Sequence, residues 1–202
     1  MSQNITTAVI TGGPGAGKTS ALKEIRNHFN KKGYEVYCMP ETATELINGG
    51  IAPWTCPTNK DFQKLLFDLQ LKKEAIYHQA AEEKKADKTL IVFDRGLVDN
   101  HCYLKDDEFQ EILDGQHMSE KDLLKRYDHV FHMECAAKGD PQWYSVDNNE
   151  ARMENQEQAI ALDDRILEVW KNHPDFVSIP AARTIEEKIG ELLEKMDEKI
   201  PE

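Results

Sequence analysis

Gly12-Gly13-Pro14-Gly15-Ala16-Gly17-Lys18-Thr19 is the stretch that decides the fold of this 202-residue chain. It matches the pattern GxxxxGK(S/T), in which glycines let backbone N–H groups approach an anion closely. A strand-like run at Thr7–Thr11 precedes it, and apolar residues at helical spacing over Lys18–Lys31 follow it. A strand, a glycine-rich turn and a helix N-terminus in this order predict a phosphate-binding loop, or P-loop.

The chemistry of this loop predicts a bound nucleoside triphosphate and a magnesium ion. Lys18 supplies a mobile cation for the β- and γ-phosphates, and the Thr19 hydroxyl is a ligand for Mg²⁺. ATP is the expected cofactor, and GTP remains open as an alternative. The predicted nucleotide-binding residues of the loop are Gly12, Gly13, Pro14, Gly15, Ala16, Gly17, Lys18, Thr19 and Ser20.

Strand-like and helix-like segments alternate along the whole chain. The alternation predicts a three-layer α/β fold, a five-stranded parallel sheet with helices on both faces. Such sheets bind ligands at the carboxyl ends of their strands. Strands are predicted at Thr7–Thr11, Tyr34–Met39, Thr89–Phe93, His129–Met133 and Phe176–Ile179. Helices are predicted at Lys18–Lys31, Pro40–Ile47, Thr58 to about Lys85, Val98–Leu104, Asp107–Leu113, Ser119–Arg126, Glu150–Lys171 and onward from Thr184.

Composition excludes several classes of protein. Lys and Arg number 25 against 37 Asp and Glu, and the net charge of −12 argues against a general nucleic-acid binder, which would carry a basic face. No stretch approaches the roughly 18 apolar residues of a membrane span. The four cysteines form no CxxC or CxxH pair, which predicts free thiols and a cytoplasmic location. Residues 1–202 are expected to form a single domain.

The end of the third strand, Phe93-Asp94-Arg95-Gly96, narrows the reaction class. Asp94 is placed to hold Mg²⁺ or to accept a proton from an acceptor hydroxyl. AAA-type ATPases carry an Asp-Glu pair here, whose Glu polarises the attacking water, whereas Arg95 provides a cation that grips a phosphate or substrate. The GTPase pattern DxxG fails because position 97 is Leu. Phosphoryl transfer to a small molecule is therefore favoured over hydrolysis.

An Asp-Arg pair at this place resembles the thymidylate and deoxynucleoside kinase group. The resemblance extends to Met39-Pro40-Glu41 and implies that Glu41 is a general base or shares Mg²⁺ with Asp94. A glutamate that merely starts a helix is the alternative interpretation of Glu41. Asp99 is a candidate substrate contact, and a carboxylate at a helix N-terminus is the equal alternative.

The long third helix carries two candidate faces. Gln63, Phe67, Gln70 and Glu74 share one face, where amide and aromatic groups can hold a planar ligand. The similar helix of the kinases carries a Gln in this role, and solvated Gln residues are the alternative interpretation. The predicted core stripe beside this face comprises Phe62, Leu65, Leu66, Leu69, Ile76 and Ala80.

The polar segment from Lys138 to Arg152 corresponds in P-loop kinases to a lid that closes over the phosphates and excludes water. Such a lid contributes a cation to the transferring phosphoryl group, and Arg152 is the first candidate, with Lys138 second. Arg183, after the fifth strand, is a candidate contact to the nucleotide base, and a solvated arginine is the alternative.

Several stretches together resemble a narrower P-loop kinase-like family. It contains the nicotinamide riboside kinase domain of NadR-type proteins and the TRPL-translocation-defect proteins, which bind GTP and phosphoinositides. The resemblance implies the strand order 2-3-1-4-5. It leaves two hypotheses: a Mg-ATP-dependent kinase acting on a small, nucleoside-like acceptor, and a nucleotide-dependent ATPase or GTP-binding module that interacts with a protein or phosphoinositide. The matching stretches are ITGGPGAGKTS, PETATELI, FQKLLFDLQLKKE, FDRGLVDNHCYL and, more loosely, NEARMENQEQAIALDD.

Overall fold

The computed structural model of the protein describes residues 4–139, 156–182 and 184–200. Its centre is a sheet of five strands, in which every neighbouring pair is parallel and the order is β2-β3-β1-β4-β5. The fold class and strand order predicted from the sequence are therefore confirmed. The strands are β1 (Asn4–Thr11), β2 (Glu35–Met39), β3 (Lys88–Asp94), β4 (His129–Met133) and β5 (Phe176–Ile179).

Each of the five strands is followed by at least one helix. The helix predicted at Val98–Leu104 is a 3₁₀ helix over Leu97–Tyr103, and Ala136–Lys138 forms a second, short one. The α-helices are α1 (Lys18–Lys31), α2 (Thr42–Asn48), α3 (Asn59–Lys84), α4 (Asp106–Gly115), α5 (Glu120–Leu124), α6 (Gln156–Trp170) and α7 (Ile185–Lys199). Thr58 and Thr184 cap α3 and α7, because each side chain accepts a hydrogen bond from the backbone N–H three residues on.

Two apolar cores cover the two faces of the sheet, because successive side chains of a strand point to opposite faces. On one face Ile10 packs with residues of α1 and α7, such as Phe29 and Leu192. On the other face Val9 packs with residues of α3 and α6, such as Phe67 and Trp170. Because helices cover both faces of the sheet, a ligand is expected to bind at the carboxyl ends of the strands.

The orientation of α3 differs from the predicted one. Leu65 and Ile76, assigned to the core stripe, are 47% and 61% exposed, whereas Glu74 on the polar face is only 1% exposed. Arg126 explains the difference, because its guanidinium donates to Glu74 Oε2 from Nη2 at 2.8 Å and from Nε at 3.0 Å. The Tyr127 hydroxyl donates to Glu74 Oε1 at 2.7 Å. These contacts turn the polar face of α3 toward the protein interior.

Replacing Glu74 by Ala should therefore destabilise the fold by about 3–5 kcal/mol, since it leaves a guanidinium and a buried phenol without their acceptor. Urea unfolding followed by circular dichroism measures this loss. Glu83→Ala, an exposed position on the same helix, is the matched control and should change stability by less than about 0.5 kcal/mol. Equal losses for the two variants would contradict the proposed role of the ion pair.

Candidate active site

One cavity of about 290 Å³ lies at the carboxyl edge of the sheet, beside the P-loop. Its walls come from the segments that follow β1, β2 and β3, and from α3, because parallel strands bring these segments to the same edge. The lining residues include Pro14, Glu41, Thr42, Thr44, Asn59, Phe62, Gln63, Leu66, Gln70, Asp94, Arg95, Asp99, Asn100 and Tyr103. Six of the predicted site residues outside the loop, at positions 41, 63, 70, 94, 95 and 99, thus line the same cavity.

The backbone of the P-loop requires glycine at two positions, for two different reasons. Gly17, the N-cap of α1, has φ 90°, in the left-handed region that favours glycine. A Cβ on Gly12 would lie 2.0 Å from the carbonyl oxygen of Met133, so β4 approaches too closely for a side chain there. Lys18 folds back over the loop, and its Nζ donates to the carbonyls of Gly12 and Gly13 at 2.8 and 2.9 Å. The glycines therefore shape the loop, and the lysine closes it.

Asp94 ends β3 and faces the first turn of α1. Its Oδ2 lies 3.5 Å from the Thr19 hydroxyl, and its buried Oδ1 has no hydrogen-bond partner among the described residues. Burial raises the pKa of Asp94, while Lys18 and Arg95 act in the opposite direction. A hydroxyl and an unsatisfied carboxylate oxygen are hard ligands of the kind Mg²⁺ takes, with phosphate and water oxygens as the others. The described residues contain no group of three or more His, Cys, Asp or Glu side chains that would hold a metal alone.

Arg95 is held from several sides in a left-handed conformation. Its φ of 68° is uncommon for a residue with a side chain and costs free energy that surrounding contacts must offset. Its Nε donates to Glu41 Oε1 at 2.6 Å, and its amide donates to the Ile10 carbonyl at 3.1 Å. Gln70 donates to its carbonyl at 3.2 Å. The guanidinium is consequently fixed at the cavity wall, next to Asp94.

Glu41 lies at the start of a helix and also faces the cavity. It occupies the N-cap position of α2, and its Oε2 accepts from the Thr44 hydroxyl at 2.6 Å. Its other oxygen accepts from Arg95, and the side chain lines the cavity. A carboxylate in this position is oriented by a helix and a guanidinium while it faces the cavity.

The polar face of α3 divides between the cavity and the core. Gln63 and Gln70 line the cavity, but Phe67 is fully buried and packs edge-on against Phe109, so the aromatic wall comes instead from Phe62. Besides Asp94 Oδ1, three buried polar atoms of the cavity wall find no hydrogen-bond partner in the described part of the chain: Gln63 Oε1, Thr42 Oγ1 and Asn100 Oδ1. Unpaired buried polar atoms are costly and mark places where a ligand is expected to bond.

Asp99 organises the back of the cavity. Its carboxylate accepts from the Thr11 hydroxyl, from the Gly96 amide at 2.8 Å and from Trp170 Nε1 at 3.2 Å. Arg95 Nη1 lies 3.5 Å from it. Asp99 lines the cavity, yet most of its hydrogen-bonding capacity is directed at the protein itself.

The cation candidates of the lid have different positions. Arg152 and Arg183 lie outside the described residues, as does most of the segment 138–152. Lys138 is described, and its Nζ lies 2.8 Å from Asp163 Oδ2 and 2.7 Å from Asp164 Oδ1. Lys138 is therefore held by two adjacent carboxylates of α6 at the base of the predicted lid.

Gly96 packs against two aromatic rings next to the cavity, and a substitution there tests this packing. A Cβ there would lie 2.8 Å from the Trp170 ring and 3.1 Å from the Tyr127 ring. Gly96→Ala should therefore destabilise the protein by about 1–3 kcal/mol through overpacking. Gly190→Ala is the matched control: it lies within α7 with open space around it and should stabilise by up to about 1 kcal/mol. Thermal unfolding of both variants measures the two opposite shifts, and shifts of the same sign would contradict the prediction.

Residues 7–188 match the model of the AAA_28 family, described as an AAA domain, and the chain belongs to this family of P-loop NTPases. No curated protein sequence matches the chain significantly. None of the helices in the described ranges is long and apolar enough to cross a membrane.

Solved structures of two kinds of kinase share the fold. A deoxyadenosine kinase from M. mycoides with the products dCMP and dCDP is 18% identical, with a TM-score of 0.59 and coverage of 96% of this chain and 100% of that one. The same enzyme with dATP is 16% identical, with a TM-score of 0.55 and coverage of 95% and 99%. Thymidylate kinase from Ehrlichia chaffeensis is 11% identical, with a TM-score of 0.63 and coverage of 96% and 100%. The architecture is thus that of P-loop nucleoside and nucleotide kinases.

Proposed function

We propose that the protein transfers the γ-phosphate of Mg-ATP to a small, nucleoside-like acceptor bound in the cavity. The observation that carries the proposal is the meeting of Glu41, Asp94 and Arg95 at one cavity next to the P-loop. Family membership and the kinase fold are consistent with phosphoryl transfer. The acceptor class is inferred from the cavity itself.

The residues divide the work of phosphoryl transfer by their positions. The loop from Gly12 to Thr19 binds the triphosphate through backbone N–H groups, and Lys18 offsets charge on the β- and γ-phosphates. Thr19 and Asp94 would hold Mg²⁺, which neutralises charge on the phosphate oxygens when bound. Glu41 accepts the proton of the acceptor hydroxyl, and Arg95 stabilises charge on the transferred group.

Groups outside the described residues complete the proposal. Arg152, from the lid, adds a second cation at the transferred phosphoryl group, and Arg183 contacts the nucleotide base. Closure of the lid would exclude water, which favours transfer to an acceptor over hydrolysis. Lys138 is assigned to anchoring the lid rather than to the phosphates, because both of its carboxylate partners belong to α6.

The charges of the cavity indicate an acceptor that carries no phosphate. Among the described lining residues, Arg95 is the one cation, against the carboxylates of Glu41, Asp94 and Asp99. Even with Asp94 offset by the Mg²⁺ assigned to it, Glu41 and Asp99 outnumber Arg95, so a phosphomonoester would meet net negative charge, and like charges at this range disfavour binding. The unsatisfied carbonyl oxygens of Gln63 and Asn100 favour a ligand with N–H or O–H donors. A neutral or cationic nucleoside fits these walls, and the resemblance to nicotinamide riboside kinase domains points the same way.

A coupled assay of ADP release tests the proposal with a panel of neutral nucleosides, nucleosides with a cationic base, nucleoside monophosphates and sugars. We expect ADP release to depend on a nucleoside and to be at least about tenfold slower with its monophosphate. Calorimetric titration measures the affinity of the protein for ATP and for each acceptor. ADP release that no acceptor accelerates, despite tight ATP binding, would overturn the kinase proposal and favour the nucleotide-dependent binding module. Liposome binding with phosphoinositide vesicles would then be the next measurement.

A further inference from the structure

Two buried charged side chains touch the P-loop from behind, outside the cavity. Asp163 of α6 is fully buried, and its Oδ1 accepts from the Gly13 amide at 2.6 Å. Lys188 of α7 is 3% exposed, and its Nζ donates to the Ala16 carbonyl at 2.9 Å and to the Glu134 carbonyl. These contacts join residues 150 and 172 positions apart in the chain. Neither residue contributes to the sequence motif.

The contact of Asp163 orients the peptide between Gly12 and Gly13. In a planar trans peptide the C=O and the N–H point in opposite directions. Asp163 accepts a hydrogen bond from the Gly13 N–H, so the Gly12 carbonyl points away from Asp163. Lys18 Nζ donates to this carbonyl at 2.8 Å. The carboxylate thus helps set the position of the lysine that faces the phosphates.

The contact of Lys188 orients the peptide between Ala16 and Gly17 in the same manner. Because Lys188 donates a hydrogen bond to the Ala16 carbonyl, the Gly17 N–H points away from α7. Gly17 is the N-cap of α1, where free N–H groups bind an anion. The ammonium therefore turns an N–H group of the loop toward the phosphate side.

The two charges have the signs that fix these directions. A carboxylate only accepts hydrogen bonds and an ammonium only donates them, so neither can hold its peptide in the flipped orientation. A neutral amide or hydroxyl, which both donates and accepts, would permit either orientation. Charge-assisted bonds are also shorter and stronger than neutral ones.

Close approach at Gly13 supports the assignment independently. A Cβ at this position would lie 2.9 Å from both Cβ and Oδ1 of Asp163. Gly13 does not have a left-handed conformation, so its lack of a side chain serves the contact with α6.

Burial also lowers the pKa of Lys188 to about 8, which shows that an ammonium at this place costs free energy that another gain must offset.

We propose that Asp163 and Lys188 are positioning residues that set the direction of two peptide groups in the P-loop and thereby determine its affinity for the phosphate chain of the nucleotide. The inference rests on the proposed function, since it assumes that this loop binds a triphosphate.

Two conservative substitutions with matched controls test the inference. Lys188→Met keeps the shape and removes the donor, and Lys195→Met is its control at a partly exposed site on the same helix. Asp163→Asn removes the charge and the fixed polarity, and Asp164→Asn is its control, because Asp164 also pairs with Lys138 but does not reach Gly13. Calorimetric titration with Mg-ATP and with inorganic tripolyphosphate measures the binding of each protein.

We expect Lys188→Met and Asp163→Asn each to weaken both compounds by about 10- to 100-fold, as the loss of a hydrogen bond to a charged group predicts, and the controls to stay within about twofold. Tripolyphosphate has no base, so a loss for ATP alone would place the effect at the base site and overturn the inference. Wild-type affinities in the folded variants would also overturn it.

An NMR measurement reads the peptide orientations without nucleotide. The chain has 11 glycines, so a spectrum of ¹⁵N-glycine-labelled protein is simple to assign. The Gly13 amide proton, bonded to a carboxylate, should lie downfield and move upfield in Asp163→Asn, and the Gly17 amide should move in Lys188→Met. Unchanged amides would overturn the inference. If one variant fails to fold, the other tests its own peptide. If the wild type binds neither compound, the proposed function fails while the NMR result still decides the orientation.

Discussion

Asp94→Asn is expected to lower acceptor-dependent ADP release by about 10³-fold or more while leaving the nucleotide-free protein at least as stable as the wild type. The rate should fall because Asn keeps the shape of the side chain but replaces a metal-binding carboxylate oxygen by an amide. Stability should be preserved because the carboxylate is buried with one unpaired oxygen, and burial raises its pKa. A neutral amide at this place avoids the cost of a buried charge.

Initial rates at saturating Mg-ATP and thermal unfolding without ligand measure the two effects. The matched control is Asp87→Asn, an exposed position just before the amino end of β3, where neither quantity should change. Opposite behaviour of rate and stability is typical of a functional residue that the fold does not need. A variant that loses stability and keeps its rate within tenfold would show that Asp94 is a structural carboxylate.

The elements that the sequence predicted best are those with strong local signals. The bounds of α1, β4 and β5 were predicted as observed, because a glycine-rich turn, turn residues and short apolar runs mark their ends. The strand-end positions of Glu41 and Asp94 were also predicted correctly, since parallel strands place every carboxyl end at one edge. Local pattern and topology are sufficient for this part of the site.

The remainder depends on contacts that no local pattern records. The rotation of α3 follows from the ion pair between Glu74 and Arg126, which lie 52 residues apart, so periodicity alone assigned Leu65 to the core. One helix turn likewise separates Phe67, in the core, from the cavity-facing Gln63. The sequence around Asp163 is that of an ordinary amphipathic helix, and only the tertiary fold shows that its carboxylate contacts Gly13.

Glu41→Gln is expected to lower acceptor-dependent ADP release by about 10²- to 10⁴-fold while leaving the affinity for ATP unchanged, because the loss is that of a general base. Gln keeps one oxygen to accept from Arg95 and fits beside Thr44, so the geometry of the cavity should survive. Steady-state rates at saturating Mg-ATP and calorimetric titration with ATP measure the two quantities.

Glu45→Gln on the same helix is the matched control, since Glu45 pairs with Lys73 at the surface and does not line the cavity. The comparison also separates the two hypotheses about function. A general base for an acceptor hydroxyl matters only when an acceptor is present, so a kinase should lose its acceptor-dependent rate and keep any slow hydrolysis. In a nucleotide-dependent binding module Glu41 would only bond to Thr44 and hold Arg95, and the substitution would lower the unfolding temperature without an acceptor-specific change in rate. A stable Glu41→Gln variant with the wild-type rate would therefore remove the carboxylate from the mechanism and leave Asp94 as the remaining candidate base.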